Sequence, residues 1–66
     1  MKFGKALEQM KQGEKVKRPH WAGFWQIEGS TVMMYCKDGR VLDIRNPDDV
    51  IYTLENIAAD DWIIAQ

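Results

Sequence analysis

Between Thr31 and Arg45 two runs rich in branched, aromatic and sulfur-bearing residues, Thr31–Lys37 and Arg40–Arg45, flank the dipeptide Asp38-Gly39. This is the local signature of an antiparallel hairpin closed by a two-residue type I′ turn, because Asp and Gly tolerate the positive φ angles of that turn. Such a turn sets Cys36 opposite Val41, Tyr35 opposite Leu42, Met34 opposite Asp43 and Met33 opposite Ile44. Side chains alternate across a strand, so this register gathers Tyr35, Leu42, Met33 and Ile44 on one face, the expected core. The other face carries Val32, Met34, Cys36 and Val41 beside Asp43 and Arg45. It is too apolar to stand wholly in water and is the expected contact between protomers.

The remaining elements arrange themselves around this hairpin. Phe3, Ala6, Leu7 and Met10 recur at helical spacing, which predicts an amphipathic helix over Met1 to Gln12, with Gly13 placed to cap it. Glu14 to Arg18 alternates like a short edge strand and Pro19 ends it; Gly23 to Glu28 reads as the next strand, reversed at Gly29-Ser30. After the turn-and-cap cluster Asn46-Pro47-Asp48-Asp49, the stretch Val50–Leu54 has strand composition. Thr53–Ala58 suits a helical turn capped by Thr53, and a loop followed by that single turn is expected. Asp60 to Ala65 reads as a closing strand with Trp62 in the core. The expectation is one domain, residues 1–66, of the α+β class: an N-terminal helix packed on an antiparallel sheet of four to five strands.

A chain of 66 residues buries only about 60% of the surface its unfolded form exposes. Cys36 is the one cysteine and His20 the one histidine, so neither an internal disulfide nor a four-ligand zinc site is available to reinforce the core. Homo-oligomerisation is therefore expected, with no metal and no cofactor. A reduced cysteine, the lack of an apolar run near 20 residues and the lack of a signal peptide predict a soluble cytoplasmic protein without a membrane partner. The net charge of −1 disfavours nonspecific binding of long DNA or RNA. Charge is instead segregated: residues 1–37 carry seven Lys/Arg against three Asp/Glu, and residues 38–66 carry two against seven, giving +4 and −5. That polarity fits either complementarity between protomers or a local cationic site for a small anion.

Recognition chemistry is concentrated in Lys17 to Glu28, which holds Trp21 and Trp25, the only histidine and a Lys-Arg pair. Flat aromatic faces stack on bases, and a guanidinium matches phosphate. Trp21 and Trp25 are the candidates for stacking and Arg18 for phosphate, with Phe3, Lys17, His20 and Asp61 as secondary candidates. Each has a structural alternative: the tryptophans can be core, and Arg18 can pair with a carboxylate of the acidic half. No P-loop, GxGxxG or nucleophile motif is present, and adjacent Asp60-Asp61 on a strand would point to opposite faces, so binding is favoured over catalysis. A protein–protein module using the Trp21–Trp25 patch is the alternative reading.

The order of short elements along the chain carries a resemblance. Phe3-Gly4 with Ala6-Leu7, Gly13 and Val16, then Arg18, Trp21-x-Gly23, the Lys37-Asp38-Gly39 hairpin and Ala59 with Asp61-Trp62 together resemble the phage Thoeris anti-defence sponge family of the second type. The resemblance implies a non-catalytic phage protein in the host cytoplasm, a homotetramer holding glycocyclic ADP-ribose in pockets between protomers. Some relatives hold cyclic oligonucleotides of another defence system. This chain departs from the pattern after Gly23, where Phe24-Trp25-Gln26 and the short Glu28–Thr31 connection replace a longer insertion. The departure bears on ligand preference.

Overall fold

A computed structural model describes residues 1–66 and contains two helices and five strands. Helix α1, Phe3–Lys11, turns Ala6 and Met10 fully inward, with Phe3 and Leu7 packed beside them, as its spacing dictates. It stops where predicted. Gly13 takes φ 95°, its N–H donates to the Met10 carbonyl and that of Glu14 to the Gln9 carbonyl, so the last carbonyls are satisfied by the left-handed glycine cap. Strands β1 (Val16–Lys17), β2 (Phe24–Glu28), β3 (Thr31–Tyr35), β4 (Val41–Asp43) and β5 (Ile63–Ile64) form one antiparallel sheet in the order β4-β3-β2-β1-β5. The sheet thus has five strands, and β1 is not an edge strand: the closing strand β5 pairs with it, Val16 opposite Ile64.

The central hairpin forms in a different register. Met33 pairs with Asp43, Met34 with Leu42 and Tyr35 with Val41. The Cys36 N–H donates to the Arg40 carbonyl and the Gly39 N–H to the Cys36 carbonyl, while Gly39 has φ 90°. The loop is therefore the three residues Lys37-Asp38-Gly39, a turn followed by a left-handed glycine, rather than a two-residue type I′ turn. A shift of one residue exchanges faces. Leu42 and Ile44 face the core as expected, but their neighbours across the ladder are Met34 and Val32, not Tyr35 and Met33. The apolar face assigned to a protomer contact is thus, at Val32 and Met34, the core face of β3. Tyr35 lies on the outer face, where its ring stacks on that of Phe24 at 4.7 Å and 16°.

Helix α2 spans Val50–Ile57, longer than the single turn expected, and Asp49 rather than Thr53 caps it by accepting the Tyr52 N–H at 2.9 Å. The Thr53 hydroxyl instead donates to the Asp49 carbonyl. The helix is inverted in polarity. Thr53 and Asn56 are buried, whereas Val50, Ile51, Tyr52 and Leu54 are exposed, Ile51 to 66%. The core proper comprises Ala6, Met10, Val16, Trp25, Met34 and Trp62.

Candidate functional site

Helix α1 packs over β1, β2 and β5, so the β3–β4 side of the same sheet face is free of it. There a cavity of about 440 Å³ is floored by Trp25, Met34 and Leu42, with the Trp21–Gly23 turn, the β3–β4 loop and the start of α2 as its walls. Its position follows from the register: Trp25, Met34 and Leu42 are successive ladder partners and must share a face.

Two residues fix the turn that carries Trp21. Pro19 occupies the second position of a turn in which the Trp21 N–H donates to the Arg18 carbonyl at 3.1 Å. Gly23 then passes so close to β3 that an added Cβ would lie 2.0 Å from the Tyr35 carbonyl oxygen. The Trp-x-Gly element is thus a steric requirement for bringing Trp21 beside the sheet.

Trp21 joins a cluster of aromatic rings. It lies 5.6 Å from Trp25 and 5.3 Å from Trp62, and Phe3 lies 6.0 Å from Trp25 and 5.2 Å from Trp62. Trp25 is 5% exposed, while Trp21 is half-buried at the cavity wall with His20 edge-on to it. The Trp21 indole N–H is buried without a hydrogen-bond partner in the chain. Such a donor costs about 1–3 kcal/mol until an acceptor reaches it.

Of the residues singled out in the sequence, His20, Trp21 and Trp25 line the cavity. The other four lie elsewhere. Phe3 packs behind Trp25 and Trp62 in the core cluster. Lys17 alternates with the inward Val16 and pairs with Ile63 across the sheet. Arg18 and Asp61 hold each other: the Arg18 Nε donates to Asp61 Oδ1 at 2.8 Å and Nη2 to Oδ2 at 3.3 Å, while Nη1 donates to Asn56 Oδ1 at 2.7 Å. Asn56 is fully buried and passes the network on, donating to the Tyr52 carbonyl and accepting the Trp62 indole N–H at its own carbonyl. This network ties the end of β1 to α2 and to the approach of β5. The hydrogen bonds from Arg18 hold the Asp61 carboxyl below the usual carboxylate range.

Sequence reasoning missed the polar groups at the cavity mouth. Arg40 follows the β3–β4 loop and bonds through Nε to Asp38 and through Nη1 to Asp48, on the segment leading into α2. Tyr52 and Thr53 complete that wall. In the sequence Asp38-Gly39 reads as a turn and Arg40 as the first residue of the following strand, and nothing local to them places Asp48 opposite.

A family model described as Tad2-like, a Thoeris anti-defence 2-like domain, matches residues 1–65. The chain belongs to this Thoeris anti-defence 2-like family, whose members act as sponge-type binders rather than catalysts. Its role is therefore in Thoeris anti-defence. No match is found among the curated proteins. No helix is long and apolar enough to cross a membrane.

Proposed function

We propose that the protein is a non-catalytic phage sponge that binds and sequesters glycocyclic ADP-ribose, acting in the host cytoplasm. The observation that carries this reading is the aromatic-floored cavity with Trp21 at its wall, in a chain of the Thoeris anti-defence 2-like family. Its volume, 440 Å³, falls within the range of about 300–1,000 Å³ for sites that enclose drug-sized ligands. Trp21 offers its ring to the adenine and its unpartnered indole N–H to a ligand oxygen; Trp25 forms the floor and His20 the rim. Arg18 and Asp61 serve the site by anchoring the turn and α2. Cyclic oligonucleotides are a second ligand class for the same chemistry.

The sponge is proposed to act as a homotetramer with each pocket completed between protomers. The inverted helix α2 supports this, since Val50, Ile51 and Leu54 stand exposed next to the cavity wall formed by Tyr52 and Thr53. The same exposed ridge favours a second reading, a module for binding another protein, more than the largely buried Trp25 does.

Titration with glycocyclic ADP-ribose, followed by calorimetry and by size-exclusion chromatography, tests the assignment of Trp21. Stacking on one aromatic ring contributes about 1–3 kcal/mol, so Trp21→Ala is expected to weaken binding about tenfold or more while the oligomer stays assembled. Loss of assembly together with binding would make Trp21 a structural residue and refute it as the stacking platform.

A further inference from the structure

Any phosphate-bearing ligand of the cavity needs a cation that can reach it, and the two arginines nearest the site differ in their freedom to do so. Arg18 has Nε, Nη1 and Nη2 all engaged by Asp61 and Asn56, is 24% exposed, and does not line the cavity. Arg40 lines the cavity, is 56% exposed, and leaves Nη2 without an acceptor in the chain. Its carboxylate partners are not equivalent. Asp38 is held in place by the Arg40 backbone N–H at 3.1 Å as well as by Nε at 2.8 Å, so it belongs to the hairpin loop itself. The Asp48 carboxylate has Arg40 Nη1 as its sole hydrogen-bond partner and lies on the opposite wall.

We infer that Arg40 is the phosphate-binding residue of this cavity, and that the Arg40–Asp48 bridge is a strap across its mouth that an entering diphosphate opens by taking Asp48's place. The inference rests on the proposed nucleotide site and adds its anion-recognition device. An exposed single-carboxylate pair is weak and screened by salt. A diphosphate offers more negative charge and several acceptors, which the paired Nη1 and Nη2 donors of a guanidinium match in two parallel hydrogen bonds. Asp38 meanwhile keeps Nε, so the fork stays aimed at the cavity while its terminal donors change partners. In the unliganded chain Asp48 offsets the charge of Arg40, and with Asp38, Asp48 and Asp49 against Lys37 and Arg40 the lining is net acidic, which disfavours long polyanions until a ligand small enough to enter competes for the guanidinium.

The inference makes two substitutions on one ion pair act in opposite directions. Binding of glycocyclic ADP-ribose, a diphosphate probe, is measured by calorimetry for the wild type, Arg40→Ala, Arg40→Lys and Asp48→Asn, with thermal melting as a control for folding. Arg40→Ala is expected to weaken binding about tenfold or more, Arg40→Lys to recover only part of it, and Asp48→Asn to tighten it about three- to tenfold because the competing carboxylate is gone. Should Arg40→Ala prove poorly folded, Arg40→Lys and Asp48→Asn decide the matter alone. Unchanged binding in the arginine variants, or weakening by Asp48→Asn, would overturn the inference while leaving the site itself standing. A wild type that binds no probe would overturn the nucleotide site and this role of Arg40 with it.

Discussion

At the scale of single residues, Gly23 has the least freedom. The Tyr35 carbonyl occupies the space a side chain would need, so Gly23→Ala must push β2 from β3 or displace the turn bearing Trp21. A cost on the order of 3 kcal/mol is expected, read as a lowered midpoint in urea unfolding; a change below about 0.5 kcal/mol would mean that the strands separate there without penalty. The Trp-x-Gly element was visible in the sequence as a motif, but its reason was not, because the close approach involves a backbone twelve residues away. The same distinction holds for the tryptophans. Trp21 and Trp25, close together in the sequence, both line the cavity, and Trp62 lies in the core as its alternating context implied. That Trp25 would be floor and Trp21 wall depends on a turn whose direction Pro19 and Gly23 set together.

At the scale of elements, the N-terminal helix was legible because one residue spacing decides which face is buried, and its glycine cap carries its own conformational mark. The central hairpin was legible as a hairpin but not in register. Asp-Gly suits both a two-residue turn and the end of a three-residue loop, and only the packing of Met34 opposite Leu42 over Trp25 selects the second. Helix α2 was obscured by its inversion: a segment reading Val-Ile-Tyr-Thr-Leu looks like a strand when its apolar residues are assumed to be inside. Asp49 is its sole side-chain cap, so Asp49→Ala is expected to cost about 1 kcal/mol, measured as a shift in the unfolding midpoint, with local loosening of the cavity wall seen in amide exchange.

The Arg18–Asp61–Asn56 network gives these elements a pH dependence. Asp61 titrates below its ordinary value of about 4 in the folded chain, chiefly through its hydrogen bonds with Arg18. The folded state therefore binds fewer protons than the unfolded one in this range, and the stabilisation is present above pH ~4 and lost as pH falls through the folded pKa. Glu28, through Tyr35, and Asp38 and Asp43, through Arg40 and Arg45, are shifted in the same direction. The melting temperature should fall on acidification below pH ~4. Asp61→Asn should lower it at neutral pH and flatten that fall; an acid slope identical to the wild type's would remove Asp61 from the account.

For the whole molecule, the balance lies between a thin core and an apolar surface. Six apolar residues form the buried cluster, while Val50, Ile51, Tyr52 and Leu54 project from one short helix. The self-association proposed above would place the protomer contact on α2, whose apolar residues are exposed, rather than on the hairpin face, where Val32 and Met34 turn toward the core. Changing Ile51 or Leu54 to Lys is expected to reduce the mass measured by light scattering without lowering the helical signal. An unchanged mass would place the protomer contact elsewhere.

The central claim is that this cavity holds a cyclic ADP-ribose-type signal and returns it unaltered. The most direct measurement is to incubate the wild-type protein with glycocyclic ADP-ribose, remove free ligand by filtration, heat-denature the protein and identify by mass spectrometry what is released. Release of intact ligand, in a fixed ratio to protein and reduced in Trp21→Ala, is the predicted result. Failure to retain the ligand at micromolar protein, or release of an altered product, would contradict it.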